Sequence, residues 1–204
     1  MDGLSLVILA GGRGRRMGVP KATMLFGDEP LLARVVRRLH SLSDDVMVVT
    51  QDGKSPIPLP ATVRVLADVI PDAGPLAGLV SGLKQARHPL VAVVSCDAPF
   101  VSPDVLAFLA GRIGDADAAV PLVDGRRQSL HAVYRASAGA EAGKRTLAEG
   151  LRRLDDLLAR LRVLWVRGGD MRRIPAWRRS FLNVNTPDVL RQALALAAEE
   201  RDRR

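Results

Sequence analysis

The stretch from Leu6 to Lys21 constrains the fold of this chain more than any other part of it. It begins as a short apolar run, typical of a buried strand, and changes abruptly into glycines and cations. Gly11, Gly12 and Gly14 lack a Cβ, so we expect them to adopt positive φ and bring their N–H groups close to a ligand. The cations of the same stretch are Arg13, Arg15, Arg16 and Lys21. A strand that ends in such a loop predicts a polyphosphate cradle.

Two common phosphate-binding motifs do not fit this loop. A dinucleotide fingerprint counted from Gly12 has Met17 where its third glycine belongs. A Walker A loop needs Gly-Lys-Ser/Thr, whereas Lys21 follows Pro20 and precedes Ala22. The remaining pattern is L-A-G-G-x-x-x-R-M-G-x-x-K. A glycine-rich turn with solvated basic residues has a similar composition, so the loop alone leaves that alternative open.

Apolar strand-like runs alternate with helical segments through the first half of the chain. The predicted strands cover 6–9, 46–50, 63–67 and 90–95, and the predicted helices begin at Pro30, Leu76 and Pro103, the last capped by Ser102. Strands joined through helices favour right-handed crossovers and a parallel sheet. We therefore expect an α/β, Rossmann-like fold, with a mostly parallel sheet and helices on both faces, in a single domain spanning 1–204.

The second half is less regular. Residues 118–123 and 129–134 predict a hairpin that turns at Asp124 and Gly125. His131, within this hairpin, is a candidate contact for an acceptor substrate. Predicted next are a helical stretch from about 138 to 161, strands at 163–166 and 181–185, and a C-terminal helix from Pro187.

Polar side chains follow three of the predicted strands. Asp68 and Asp97 each end an apolar run, while Asn183 and Asn185 close the last strand. Ligands of open α/β sheets bind at the carboxyl ends of the strands, so we expect these side chains and the opening loop to share one edge. Mg²⁺ prefers one or two carboxylates with phosphate oxygens, and a neutral amide oxygen can complete its shell. Simpler roles stay open, since Asp97 can cap a helix and Asp68 can stabilise a turn.

Five motifs in this order resemble the nucleotidyltransferases that activate sugars and cofactors, and most closely the molybdenum cofactor guanylyltransferases. The motifs are the opening loop, Asp68, Gly74-Pro75-Leu76-Ala77-Gly78, Cys96-Asp97-Ala98-Pro99-Phe100 and Asn183-Val184-Asn185-Thr186-Pro187. They extend over nearly the whole chain, so the resemblance implies the nucleotidyltransferase version of the Rossmann-like fold.

The same resemblance implies roles for individual residues. The implied nucleotide-binding residues are Leu9, Ala10, Gly11, Gly12, Lys21, Asp68 and Asp97. The implied catalytic residues are Lys21, Arg16 and Asp97. The implied metal ligands are Asp97 and Asn185, with Mg²⁺ as the cofactor.

The implied reaction is transfer of GMP from GTP to the terminal phosphate of molybdopterin or its molybdenum form, with release of pyrophosphate. A cytidylyltransferase for the same cofactor, a sugar-phosphate nucleotidyltransferase and a non-catalytic nucleotide- or nucleic-acid-binding module remain alternatives. Related cytidylyltransferases open with Leu-Ala-Ala-Gly, so the glycine at Gly11 favours guanine. Proteins of cofactor synthesis are expected as transient partners.

Composition argues against nucleic-acid-binding, membrane and secreted proteins. The net charge of +8 would suit a nucleic-acid binder, but two Trp, one Tyr and four Phe supply few platforms for stacking bases. No apolar run approaches the ~20 residues of a membrane span, and the N-terminus does not resemble a secretory signal. We therefore expect a cytoplasmic protein with neither nucleic acid nor membrane as partner. The single cysteine, Cys96, excludes an internal disulfide.

Overall fold

The structure, a computed structural model, describes residues 3–11, 19–70 and 73–202. In chain order the strands are β1 (Leu4–Leu9), β2 (Leu25–Phe26), β3 (Glu29–Pro30), β4 (Asp45–Thr50), β5 (Val63–Ala67), β6 (Leu90–Ser95), β7 (Ala118–Val123), β8 (Arg126–Arg127), β9 (His131–Arg135) and β10 (Val163–Arg167). The α-helices are α1 (Leu31–Leu39), α2 (Pro75–Gln85), α3 (Pro103–Arg112), α4 (Ala136–Ala148), α5 (Leu154–Leu158), α6 (Trp177–Ser180) and α7 (Pro187–Asp202).

Eight of the strands form one sheet, and β2 and β3 form a separate antiparallel pair. The order across the large sheet is β10-β7-β9-β6-β1-β4-β5, with β8 paired to β7. β1 runs parallel to both β4 and β6, β4 to β5, and β7 to β10. Only β8 and β9 pair antiparallel with their neighbours in this sheet. This arrangement confirms the predicted α/β fold with a mostly parallel sheet.

Helices cover both faces because the central strands are apolar on both sides. Along β1, Leu6 and Ile8 pack into the core beneath α1 and α3, whereas Val7 and Leu9 pack into the core beneath α2, α4 and α5. Successive side chains of a strand point to opposite faces, so one continuous apolar run fills two cores.

Glycines let α2 approach the sheet closely. A Cβ on Gly82 would lie 2.5 Å from Val7 Cγ2, and one on Gly78 would lie 2.9 Å from Asp68 Oδ1. Gly74, just before the helix, has φ +77°, a conformation that favours glycine. Gly78 and Gly82 therefore allow α2 to pack directly against the sheet.

The structure differs from the sequence prediction in several places. The helical stretch from 138 to 161 is divided into α4 and α5, because Gly150 adopts φ +81° and ends the first helix. The returning strand of the hairpin begins at His131 rather than at 129. The segment 181–185 is not a strand. Ser102 occupies the N-cap position of α3, but its side chain makes no capping hydrogen bond.

No helix in the described ranges is both long and apolar enough to cross a membrane.

Candidate active site

Four parallel strands end in register at one edge of the sheet. Leu9 is paired with Ser95 of β6 and Val49 of β4, and Thr50 is paired with Ala67. Backbone hydrogen bonds continue past the strand ends. They join Cys96 N–H to the Leu9 carbonyl at 3.0 Å, Ala10 N–H to the Val49 carbonyl at 2.8 Å and Asp68 N–H to the Thr50 carbonyl at 3.0 Å. Ala10 at the start of the opening loop, Asp68 and Asp97 therefore emerge side by side, as the sequence predicted.

The Lys21 side chain connects Asp97 and Asn185, the two predicted metal ligands. Its Nζ donates to Asp97 Oδ2 at 2.5 Å and also to Asn185 Oδ1. Asp97 is 5% exposed, whereas the Lys21 side chain is 26% exposed. A buried carboxylate is stabilised by a cation that also reaches solvent. Residues separated by 76 and 164 positions along the chain thus meet at one ammonium group.

An apolar cluster fixes the segments that carry these three side chains. We call it the site-side cluster, and its buried members are Met24, Phe26, Leu31, Phe100, Val184, Ala193 and Ala197. Lys21, Asp97 and Asn185 each lie within three residues of a member. Because protein interiors are closely packed, the cluster sets the positions of three otherwise separate backbone segments.

Arg34 is a buried cation within this arrangement. Its Nε donates 2.8 Å to the Pro99 carbonyl, two residues beyond Asp97, and its Nη1 lies 3.1 Å from Glu29 Oε1. The guanidinium carbon lies 4.7 Å from the ring centroid of Phe26 and 5.8 Å from that of Phe100. Burial lowers the pKa of Arg34, while the Glu29 carboxylate opposes that shift. Sequence reasoning missed this residue, because helical spacing alone does not distinguish a buried arginine from a solvated one.

Asp68 stands apart from the cations. Burial raises the pKa of its carboxyl from 3.8 to about 6, and no described side chain pairs with it. An ideal Cβ on Gly11 would lie 3.9 Å from Asp68 Oδ2, so Gly11 lies directly beside this carboxyl. An unpaired, partly buried carboxyl is a costly feature typical of binding sites.

Asp97 also has an unpartnered oxygen. Its Oδ1 is buried without a hydrogen-bond partner among the described residues. A buried carboxylate oxygen of this kind suits a hard cation such as Mg²⁺. In the described ranges no three His, Cys, Asp or Glu side chains form a metal-binding group, so phosphate oxygens or water would have to complete the shell.

A model of the MobA-like NTP transferase domain matches residues 6–163. The chain belongs to this family. It is 39% identical over 200 residues to a chain from Chloroflexus aggregans described as "Probable molybdenum cofactor guanylyltransferase", with 92% of both chains covered.

Two solved structures are similar to the chain over nearly its whole length. Molybdopterin-guanine dinucleotide biosynthesis protein A from Archaeoglobus fulgidus is 28% identical with a TM-score of 0.81, over 96% of this chain and 99% of that one. The 2-C-methyl-D-erythritol 4-phosphate cytidylyltransferase from Thermus thermophilus is 25% identical with a TM-score of 0.73, over 97% and 100%. The protein is therefore a nucleotidyltransferase with a MobA-like domain and the fold of these enzymes.

Among the residues predicted for this MobA-like site, the structure brings together Lys21, Asp97 and Asn185 and places Gly11 beside Asp68. Leu9 and Ala10 lead into the same edge. Gly12, Gly14 and the predicted Arg16 lie outside the described residues. The expected positive φ at Gly11 is wrong, because its backbone is not left-handed.

Two other polar residues of the sequence analysis are buried. His131 is 4% exposed and hydrogen-bonded to Ser180, so the structure does not support its direct contact with an acceptor. Burial raises the pKa of the Cys96 thiol to about 12, which leaves it protonated and unreactive.

A cavity of about 720 Å³ lies away from this edge. Its lining includes Val46 and Val63, at the opposite ends of β4 and β5, together with Pro58 and Pro60. None of the predicted site residues that the structure describes lines it.

Asp68→Asn should stabilise the ligand-free protein at pH 7 by on the order of 1 kcal/mol, raising Tm by roughly 2–4 °C. The folded carboxyl has a pKa of about 6 rather than 3.8. Its contribution to stability is therefore fully present below about pH 4 and is lost as the pH rises through 6. The amide stays neutral throughout, so thermal melts of both proteins from pH 4 to 7 should converge at the acidic end. A Tm difference that does not change with pH would contradict this account of Asp68.

Proposed function

We propose that this MobA-like protein transfers GMP from GTP to the terminal phosphate of molybdopterin or its molybdenum form, releasing pyrophosphate in a Mg²⁺-dependent reaction. The observation that carries the proposal is the junction of Lys21 with Asp97 and Asn185, at the strand edge that also holds Gly11 and Asp68. The description of the Chloroflexus aggregans relative supports GTP and the cofactor as substrates. We further propose that the chain acts as one nucleotidyltransferase domain in the cytoplasm.

The reaction needs charge neutralisation more than proton transfer. An oxygen of the acceptor phosphate, already ionised, attacks the α-phosphorus of GTP. The new P–O bond forms as the bond to the β-phosphate oxygen breaks, and pyrophosphate leaves with that electron pair. Since the nucleophile carries its own charge, no strong general base is required.

Lys21 is suited to balance that charge. An ammonium group has three N–H donors, and two of them are directed at Asp97 and Asn185. The third can reach a phosphate oxygen. The predicted role of Arg16 is additional positive charge from the opening loop. Residues that hold the phosphates in line accelerate the transfer by fixing the geometry of attack.

Asp97 and Asn185 would hold the metal ion. The unpartnered Oδ1 of Asp97 offers a charged oxygen, and Asn185 offers a neutral one. When bound, Mg²⁺ supplies Lewis-acid neutralisation of the phosphate charge.

Asp68 is the residue that we propose recognises guanine. An ionised carboxylate can accept hydrogen bonds from guanine N1–H and its exocyclic amine, an edge that neither adenine nor cytosine presents. A base bound there would lie against Gly11, because that residue faces the Asp68 carboxylate.

Lys21→Met and Asp97→Asn should each lower kcat by about 100-fold or more, or ~3 kcal/mol, because each removes charge that acts on the transferred phosphate. The assay is GTP-dependent pyrophosphate release with molybdopterin and Mg²⁺, with folding checked by thermal melting. Arg160→Met is the matched control. It breaks a 2.5 Å ion pair with Glu149 near the start of β10, at the opposite edge of the sheet. Near-normal turnover by either folded site variant would remove that residue from the mechanism.

Gly11→Ala should lower the GTP-to-CTP ratio of kcat/KM by about tenfold, since one methyl group of steric difference contributes ~1–3 kcal/mol to discrimination. The fold should be unaffected, because among the described residues the added Cβ would meet Asp68 Oδ2 alone, at 3.9 Å. Gly111→Ala makes the same change in α3, where no atom of the described residues outside the helix's own backbone lies within 4 Å of the added Cβ. Its ratio should equal that of the wild type. A wild-type preference for CTP would favour the cytidylyltransferase alternative, and equal ratios in all three proteins would place base choice elsewhere.

A further inference from the structure

His131 is a buried polar residue that the proposed chemistry does not use. It begins β9 and is paired with Val94 of β6, three residues before Asp97. Burial lowers the pKa of its imidazole to about 3, so the ring is neutral at any working pH. A buried neutral histidine at this place holds other groups in position rather than carrying charge.

Three segments of the chain meet at the Ser180 hydroxyl, next to this imidazole. Its Nε2 lies 2.9 Å from Ser180 Oγ at the end of α6, and the Ser102 N–H, just before α3, donates to the same Oγ at 2.9 Å. A hydroxyl can donate one hydrogen bond and accept two, so the Ser180 side chain can pair with the Ser102 N–H and with His131 Nε2 at the same time. The ring also packs on Phe181, with 4.5 Å between centroids.

These contacts fix the start of the segment that carries Asn185. The segment 181–185 is not a strand, so no sheet ladder holds it. Its far end is held by the Val184 N–H, which donates 2.9 Å to the Asp97 carbonyl, and by the Val184 side chain in the site-side cluster. His131 and Ser180 hold the near end.

We propose that His131 is a positioning residue, which with Ser180 holds the segment 181–185 so that Asn185 Oδ1 meets Lys21 beside Asp97. The proposal rests on the proposed function in one respect, namely that Asn185 is a ligand of the metal ion bound with the nucleotide. Side chains that orient the ligands of a metal contribute to its affinity without touching it.

The chain offers variants that separate positioning from general stability. His131→Phe keeps a ring against Phe181 but removes the ring nitrogen that pairs with the Ser180 hydroxyl, and Ser180→Ala removes the hydroxyl itself. Tyr134→Phe is the matched control. It removes another buried hydrogen bond of β9, from the Tyr134 hydroxyl to the Ser129 carbonyl at 2.7 Å, on the opposite face of the sheet.

Two measurements on the full chain test the proposal. The first is Mn²⁺ affinity, by electron paramagnetic resonance, in the complex with a non-hydrolysable GTP analogue. His131→Phe and Ser180→Ala should weaken it by about tenfold, with metal-free nucleotide affinity within about twofold of wild type. In an Asn185→Ala background, His131→Phe should add less than about a twofold loss. The second is hydrogen exchange of the Val184 amide, which should be faster in His131→Phe than in Tyr134→Phe.

Three results would overturn the positioning role. They are unchanged Mn²⁺ affinity in His131→Phe, an equal loss in Tyr134→Phe, and a tenfold loss that persists in the Asn185→Ala background. If wild type binds neither Mn²⁺ nor the nucleotide analogue, the proposed function fails instead. Exchange at the Val184 amide then still tests the positioning role. Faster exchange in His131→Phe than in Tyr134→Phe supports the role of His131 in holding the segment 181–185, and equal exchange in these two variants overturns it.

Discussion

The Asp97 carboxylate is the constraint on which the rest of this site depends. A buried carboxylate is costly unless cations or donors compensate it, yet in the described part of the chain only one of its oxygens has a partner. That partner, Lys21, has to be brought from a distant segment, and the site-side cluster and buried Arg34 hold the surrounding backbone. The second oxygen remains for a cation, so the fold holds a charge whose compensation a metal ion and substrate can complete.

Much of the fold and of the site follows from the sequence, because continuous apolar runs and their polar ends reflect a parallel sheet directly. The ends of β1, β5 and β6 were therefore predictable, as was the common edge shared by Gly11, Asp68 and Asp97. The strand predicted at 181–185, which carries Asn183 and Asn185, was wrong. Tertiary contacts rather than a ladder hold that segment, and apolar alternation cannot distinguish the two.

Two other predictions were wrong for different physical reasons. The long predicted helix is interrupted at Gly150, whose left-handed backbone overrides the surrounding helical spacing. His131 was a candidate for ligand contact, although its neighbours are Ser180 and Phe181, 49 and 50 positions away in sequence. Such contacts leave no local pattern. The roles of Gly12 and Arg16 stay predictions, because both lie outside the described residues.

The central claim is transfer of the α-phosphate of GTP, with its guanosine, to a cofactor phosphate. The most direct measurement follows GTP labelled at the α or the γ position, incubated with Mg²⁺ and molybdopterin. The account predicts that α-label enters the cofactor product in step with pyrophosphate release, and that γ-label appears only in pyrophosphate. Transfer of γ-label to the acceptor, or α-label transfer from CTP but not from GTP, would contradict it.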